Sequence, residues 1–237
     1  MKQASQPAAD WLDKRASLTP GRVALIDYSD KSETTYAEWN TRANRAANYL
    51  GSLGVRKGDR VAVYSSNCTE YLDLFWAASK IGAILQNLNW RLTVHELQGI
   101  VSSGAPKVLI YSEDWQAQVE ELKPSLDTVD HVVAISNPRA GEHSFAEREA
   151  ESEKLEGRPE LTLDDPWGIY YTGGTTGLPK GAVLTHGNVT WNSINTITSW
   201  GLTAGHKAAL QLPFFHIGGP NIFMAPLVHA GGTTVLC

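Results

Sequence analysis

Cysteine is scarce in this chain: Cys68 and Cys237 are the only two in 237 residues, and neither belongs to a C-x-x-C pair. That removes thiol-based metal and redox motifs. A disulfide between them stays open, and a reduced cytoplasmic protein is the simpler expectation. Long apolar runs are missing too. LFWAASKIGAIL, Leu74–Leu85, is interrupted by Lys80 and falls short of the ~20 residues a spanning helix needs, so no membrane span is expected. MKQASQPAAD at the start holds no apolar h-region, so no secretory signal is expected. Positive charge is not in excess. Twenty Lys and Arg stand against 25 Asp and Glu, for a net charge of −5, which argues against nucleic acid as a partner.

Several catalytic signatures are also missing. There is no G-x-S-x-G elbow. No two glycines are separated by a single residue, which excludes a G-x-G-x-x-G dinucleotide fingerprint. His95, His131, His143, His186, His206 and His229 show no metal-ligand spacing, and no metal site is expected in the chain. His186, at the start of HGNVTWNSINTITSW, reads as a cap or surface residue.

What is there is an ordinary globular composition, 42% hydrophobic and 19% charged. A chain this long buries roughly 70% of its unfolded surface without staples. Short β-branched runs, RVALID (22–27), RVAVYS (60–65), KVLIY (107–111) and HVVAIS (131–136), alternate with helical segments. TYAEWNTRANRAANYLGSLG opens on capping threonines and carries Trp39, Ala43, Ala46, Ala47 and Leu50 at helical spacing. CTEYLDLFWAASKIG stops at Gly82, and LTVHELQGIVSSG stops at Gly104. Strand, helix, strand at this spacing predicts an α/β class with largely parallel sheets flanked by helices. Between about 137 and 165 the chain turns polar and mixed in charge, which predicts a short solvated helix and a linker. The expected division is a first α/β subdomain over 1–160 and the start of a second over 166–237.

The segment YYTGGTTGLPKGAVLTH, Tyr170–His186, crowds glycines, threonines and one cation between two strand-like runs. Pro179 precedes Lys180 and a strand follows, so this is not a Walker loop. Its chemistry still suits phosphate. Glycines let successive backbone N–H groups face one concavity, Thr175 and Thr176 add hydroxyl donors, and Lys180 adds a mobile charge. A ligand-free glycine-rich hairpin is the bland alternative. Further on, LPFFHIGGPNIFMAPLVHAGG combines Phe214, Phe215 and His216 with Gly218 and Gly219. Taken alone it reads as core packing with an interior histidine. Trp191, Trp200 and Met224 either line a pocket or fill the core.

TGGTTGLPKG closely resembles the signature loop of the adenylate-forming (AMP-binding) enzymes, which include acyl- and aryl-CoA synthetases, amino-acid adenylation domains and luciferases. It fits the run [ST]-[SG]-G-[ST]-T-G-x-P-K-G throughout, with Gly173 where serine is commoner. TTYAEWNTRANRAANYL, FWAASKIGAILQNLNWRLTVHEL and LPFFHIGG resemble further stretches of that family, in the family order. The resemblance implies that Thr172, Gly173, Gly174, Thr175, Thr176, Gly177 and Lys180 bind the phosphates of ATP, with Thr175, Thr176, Gly177 and Lys180 on the β- and γ-phosphates. It implies that Phe215, His216 and Gly218 border an acyl and pantetheine pocket.

The amino-acid branch usually has an aspartate near Phe215 and His216; without it, an apolar acid is expected, as in acyl-CoA synthetases and fatty-acid–CoA ligases. The implied substrates are a carboxylic acid, ATP and CoA, with Mg²⁺ as the family's metal. The adenine pocket, metal carboxylate, ribose aspartate, hinge and catalytic lysine of the C-terminal lid domain have no counterpart among these residues. The chain is therefore expected to be the N-terminal portion of a larger ligase, with no catalytic residue of its own and no activity alone. Self-association is expected because GGTTVLC reads as a strand without neighbours. Two other readings stay open: another branch of the family, amino-acid adenylating or luciferase-like, and a non-catalytic ligand-binding or interaction module.

Overall fold

Strand and helix segments alternate as the pattern predicts, but they sort into two sheets. The computed structural model describes residues 5–174 and 177–237, with Gly174, Gly177 and Leu178 described by backbone alone. The first elements are α1 (Trp11–Leu18), β1 (Val23–Asp27), β2 (Glu33–Thr35) and α2 (Tyr36–Ser52). Next come β3 (Arg60–Tyr64), α3 (Thr69–Ile81), β4 (Ile84–Asn87), α4 (Val94–Gly104), β5 (Val108–Tyr111) and α5 (Gln116–Leu122). They are followed by β6 (His131–Ala134), β7 (His143–Ser144), β8 (Pro166–Gly174) and β9 (Gly177–Thr185). The last are α6 (His186–Trp200), β10 (Lys207–Leu210), α7 (Ala225–Ala230) and β11 (Thr233–Leu236).

One sheet has the order β7-β6-β5-β3-β4-β8-β9, parallel except for the β8–β9 hairpin. The other has the order β10-β11-β1-β2, in which only β1–β2 is antiparallel. The expected α/β class with largely parallel sheets is what forms. Strand, helix, strand at this spacing implies parallel pairing for RVALID as for the other runs. In the fold β1 turns back on β2 and takes β11 as its other neighbour, with the Thr233 and Thr234 hydroxyls donating to Val23 O (2.7 Å) and Ala24 O (3.0 Å). β11 is accordingly not an unpaired strand. It lies between β10 and β1, and the outer strands of that sheet are β10 and β2. β8 and β9, which follow the polar segment, complete the sheet built by β3–β7.

Local signals set the helices. Thr35 and Glu38 close a capping box on α2, and Thr93 and Glu96 close one on α4, each satisfying two orphan N–H groups. α3 ends on Gly82 at φ +70°, where a Cβ would also come within 2.6 Å of Leu161 Cδ2. From Tyr71 to Ile81 every α3 residue is buried, which forces partners on its charges. Asp73 accepts from Arg42 (2.8 Å) and Arg148 (2.8 Å), and Lys80 donates to Asp10 (2.9 Å) and Asn40 (2.6 Å). Around α3 the rings of Trp39, Phe75, Trp76 and Trp167 pack mutually, with centroids 4.6–6.2 Å apart.

The polar segment does contain the short helix, a 3₁₀ stretch at Phe145–Ala150, but it is no loose linker. Asn44 donates to Glu153 O, and Asn48 donates to Ser152 O and Lys154 O while accepting from Glu156 N. Asn44 and Asn48, one turn apart on α2, thus supply the backbone of this strap, residues 152–156, with partners.

Candidate functional site

The glycine–threonine segment lies at the tip of the β8–β9 hairpin. Thr175 and Thr176 fall outside the described residues. Thr172 pairs with Lys180 across the hairpin and its Oγ1 donates to Lys180 O at 3.4 Å; Gly174 pairs with Gly177. Thr172, Gly173 and Lys180 are exposed. Among the described residues no carboxylate lies within ion-pair distance of Lys180. A cation and a hydroxyl thus stand together at a solvent-facing strand end, with no ion-pair partner for the charge among the described residues.

The hairpin below the tip is rigidly seated. Tyr171 pairs with Gly181, and its hydroxyl accepts from Gln86 Nε2 at 2.9 Å. Gln86 also donates to Ile100 O on α4 (3.1 Å). Asn87 donates to Ile169 O at 3.1 Å and accepts from Tyr71 Oη at 2.8 Å, tying β4 and α3 to β8. Burial pushes the phenols of Tyr170 and Tyr171 above their usual range, so both remain neutral hydroxyls. At Gly173 a Cβ would meet nothing within 4 Å among the described residues, so their packing does not require glycine there.

The second predicted stretch adjoins the first. Tyr170, two residues before Thr172, faces Asn221, whose Nδ2 lies 3.4 Å from its hydroxyl and donates to Ile217 O at 3.0 Å. Asn192 on α6 donates to Asn221 O at 2.7 Å. Phe214 is buried edge-on against Tyr71 (5.5 Å). Phe215 is buried edge-on against Trp90 (5.5 Å), with the Arg91 guanidinium 4.9 Å from the Trp90 ring. His216 is exposed rather than interior, and its Nδ1 accepts from Gly218 N at 3.1 Å. Gly218 leaves little room, since a Cβ would meet Ile222, His216 and Leu212 at 3.1–3.3 Å. At Gly219 a Cβ would sit 2.5 Å from Pro213 O. Met224 is core, whereas Trp191 and Trp200 are more than half exposed.

Asn67 has no counterpart in the sequence reading. It follows β3, donates to Leu212 O at 3.0 Å and accepts from Phe214 N at 2.9 Å. Its place just beyond the carboxyl end of a parallel strand is where open α/β sheets build sites, and that was its only available signal. Beside it, burial pushes the Cys68 thiol up to about 12, which rules out a thiolate nucleophile near neutral pH. Cys68 and Cys237 are both free thiols. His186 is neither a surface residue nor part of the site. It is buried, stacked on Trp167 at 4.9 Å, and burial depresses it to about 4.

The family model described as "AMP-binding enzyme" matches residues 12–237. An indoleacetate–CoA ligase of Aromatoleum aromaticum is 34% identical over 229 residues, covering 96% of this chain and 44% of that protein. The long-chain-fatty-acid–CoA ligase FadD13 of Mycobacterium tuberculosis is 36% identical over 216 residues, covering 87% of this chain and 40% of that protein. Among solved structures, the inhibitor-bound N-terminal domain of FACL13 from Mycobacterium tuberculosis superposes with a TM-score of 0.85 at 31% identity. That match covers 98% of this chain and 57% of the other. The chain thus spans less than half the length of these curated relatives.

Proposed function

The chain belongs to the AMP-binding enzyme family, and on that premise we propose that it is the phosphate-binding, acid-bordering part of an ATP-dependent acid–CoA ligase acting in the cytoplasm. The overall reaction has two steps. A carboxylate attacks the α-phosphorus of ATP, giving an acyl-adenylate and pyrophosphate. The thiol of CoA then displaces AMP, giving a thioester. Two anionic reactants must be brought together, so preorganised positive charge and N–H donors are the main need.

In this scheme Thr172, Gly173, Gly174, Thr175, Thr176, Gly177 and Lys180 hold the ATP phosphates, the last four of them the β- and γ-phosphates. Phe215, His216 and Gly218 border the acid and the entering thiol. The observation that carries the reading is the solvent-facing pairing of Lys180 with Thr172 at the hairpin tip, in a segment whose sequence fits the family loop throughout. Mg²⁺ would neutralise phosphate charge in such a reaction. The described residues include no group of three His, Cys, Asp or Glu side chains able to hold an ion, so no residue here is assigned to it.

Relatives named for indoleacetate and for long-chain fatty acids have in common an apolar body behind one carboxylate. Phe215, packed on Trp90, offers an apolar wall of that kind, and an apolar acid without an ammonium group is the proposed substrate class. The test is acid-dependent pyrophosphate release by the enzyme that contains this chain, followed by thioester formation with CoA. A panel of fatty, aromatic and amino acids in that assay distinguishes the branches. Pyrophosphate release with amino acids alone would overturn the assignment of an apolar acid.

A further inference from the structure

The histidines that sequence spacing dismisses include a pair the fold brings together. His131 opens β6 and His143 opens β7, the outermost strand on that side of the larger sheet. The two strands run parallel, with Val133 opposite His143. His131 Nδ1 lies 3.1 Å from His143 Nε2, and the rings meet at 70°. Behind His143, the Glu147 carboxylate lies 3.5 Å from Nδ1. Glu147 is held below its usual range chiefly by the backbone N–H of Ser144, so it is ionised. Neither group is sealed in, because His143 is 38% and Glu147 51% exposed.

We propose that His131 and His143 form a two-histidine site for a divalent transition-metal ion, with zinc or copper as the chemical class, and that Glu147 orients His143 from behind. Two imidazole nitrogens ~2.0–2.1 Å from a tetrahedral zinc stand about 3.3 Å apart. The observed 3.1 Å needs to open by only a few tenths of an ångström. A carboxylate on the far nitrogen of a ligating histidine keeps the proton there and the lone pair toward the metal. Glu147 is placed for that role on His143. His131 Nδ1 then carries the proton between the rings; when the ion enters, that proton moves to Nε2 of His131 and no net proton is lost. No third His, Cys, Asp or Glu joins the pair among the described residues. The ion therefore keeps positions for water or an external ligand, and its effect is to fasten β7 to β6.

The test uses the chelator-stripped chain, titrated with ZnCl₂ by calorimetry and by thermal melting. One equivalent should bind, with a melting temperature that rises with zinc concentration. His131→Ala and His143→Ala should each weaken binding at least tenfold, Glu147→Gln about tenfold, and His95→Ala not at all. Cu²⁺ should bind more tightly than Zn²⁺. Saturable binding that survives in His143→Ala, or no saturable binding to the unaltered chain, overturns the site. Should a variant fail to fold, the unaltered chain decides. Zinc must slow diethylpyrocarbonate modification of His131 and His143 relative to His95, and equal rates overturn the proposal.

Discussion

Tyr171 and Gly181 face each other across the hairpin that carries the glycine–threonine tip, and a Cβ on Gly181 would lie 3.2 Å from Tyr171 Cε1 and 2.8 Å from Ile169 Cγ2. The glycine leaves room for a ring whose hydroxyl is fixed from behind by Gln86. Gly181→Val should therefore force the ring or the strand to shift, at a cost of ~1–3 kcal/mol from overpacking. Urea unfolding checks the stability. A midpoint equal to that of the unaltered chain would show that Tyr171 is free to move.

Lys180→Ala removes the cation from the tip without touching the core. A hydrogen bond to a charged group contributes ~1.5–3 kcal/mol, so MgATP binding should weaken by roughly one to two decades. Thr176→Val should act in the same direction through its hydroxyl. Steady-state kinetics of the enzyme containing this chain, with ATP varied, provides the measurement. Unchanged ATP dependence in both variants removes the tip from phosphate binding.

Asn67→Ala leaves Leu212 O and Phe214 N without the partner they now share. A hydrogen bond of this kind contributes about 0.5–1.5 kcal/mol net, and the loosened segment is the one leading to Phe215 and His216. The KM for the acid should rise more than the KM for ATP. Phe215→Ala should reorder the preference among acids of different length, because selectivity resides in pocket contacts. An unaltered preference with lower stability would make Phe215 core alone.

Burial depresses His186 to about 4. Its folded pKa thus lies below the unfolded value of about 6.5, and below that pH the unfolded chain binds the extra proton. Stability should fall as pH drops from about 6.5 toward 4, by up to ~3 kcal/mol from this group, and level off below. His186→Phe, which keeps a ring against Trp167, should flatten that dependence. Urea midpoints from pH 7 to 4 decide the matter; parallel curves for the two proteins would assign the loss to other groups, His229 first.

Arg148→Met should cost ~1.5–3 kcal/mol, because Asp73 is fully buried and, among the described residues, keeps Arg42 alone as a charged partner. Simultaneous Asp73→Leu should recover much of that loss. Chemical denaturation of the single and double variants measures the coupling, and additive losses would contradict it.

Much of the fold was legible because its signals are local. Thr35 with Glu38 and Thr93 with Glu96 cap helices from within four residues. Gly82 ends α3 for its own backbone reasons, and the Tyr170–His186 segment announces a hairpin by composition. The chain's sequence likewise determined its family, through the order of residues in one loop and three further stretches. Tertiary structure decided whatever depends on contacts between distant residues. β1 reads as the first strand of a parallel series, yet it pairs with β11 some 210 residues away. Asn44 and Asn48 look like ordinary polar helix positions until they receive the strap's backbone. His186 looks like a cap until Trp167 covers it, and Asn67 acquires its role only from Leu212 and Phe214. A side chain's burial and partners are properties of the packed molecule. Residue type and local spacing encode caps, turns and periodicity, but not which surface folds over a given group.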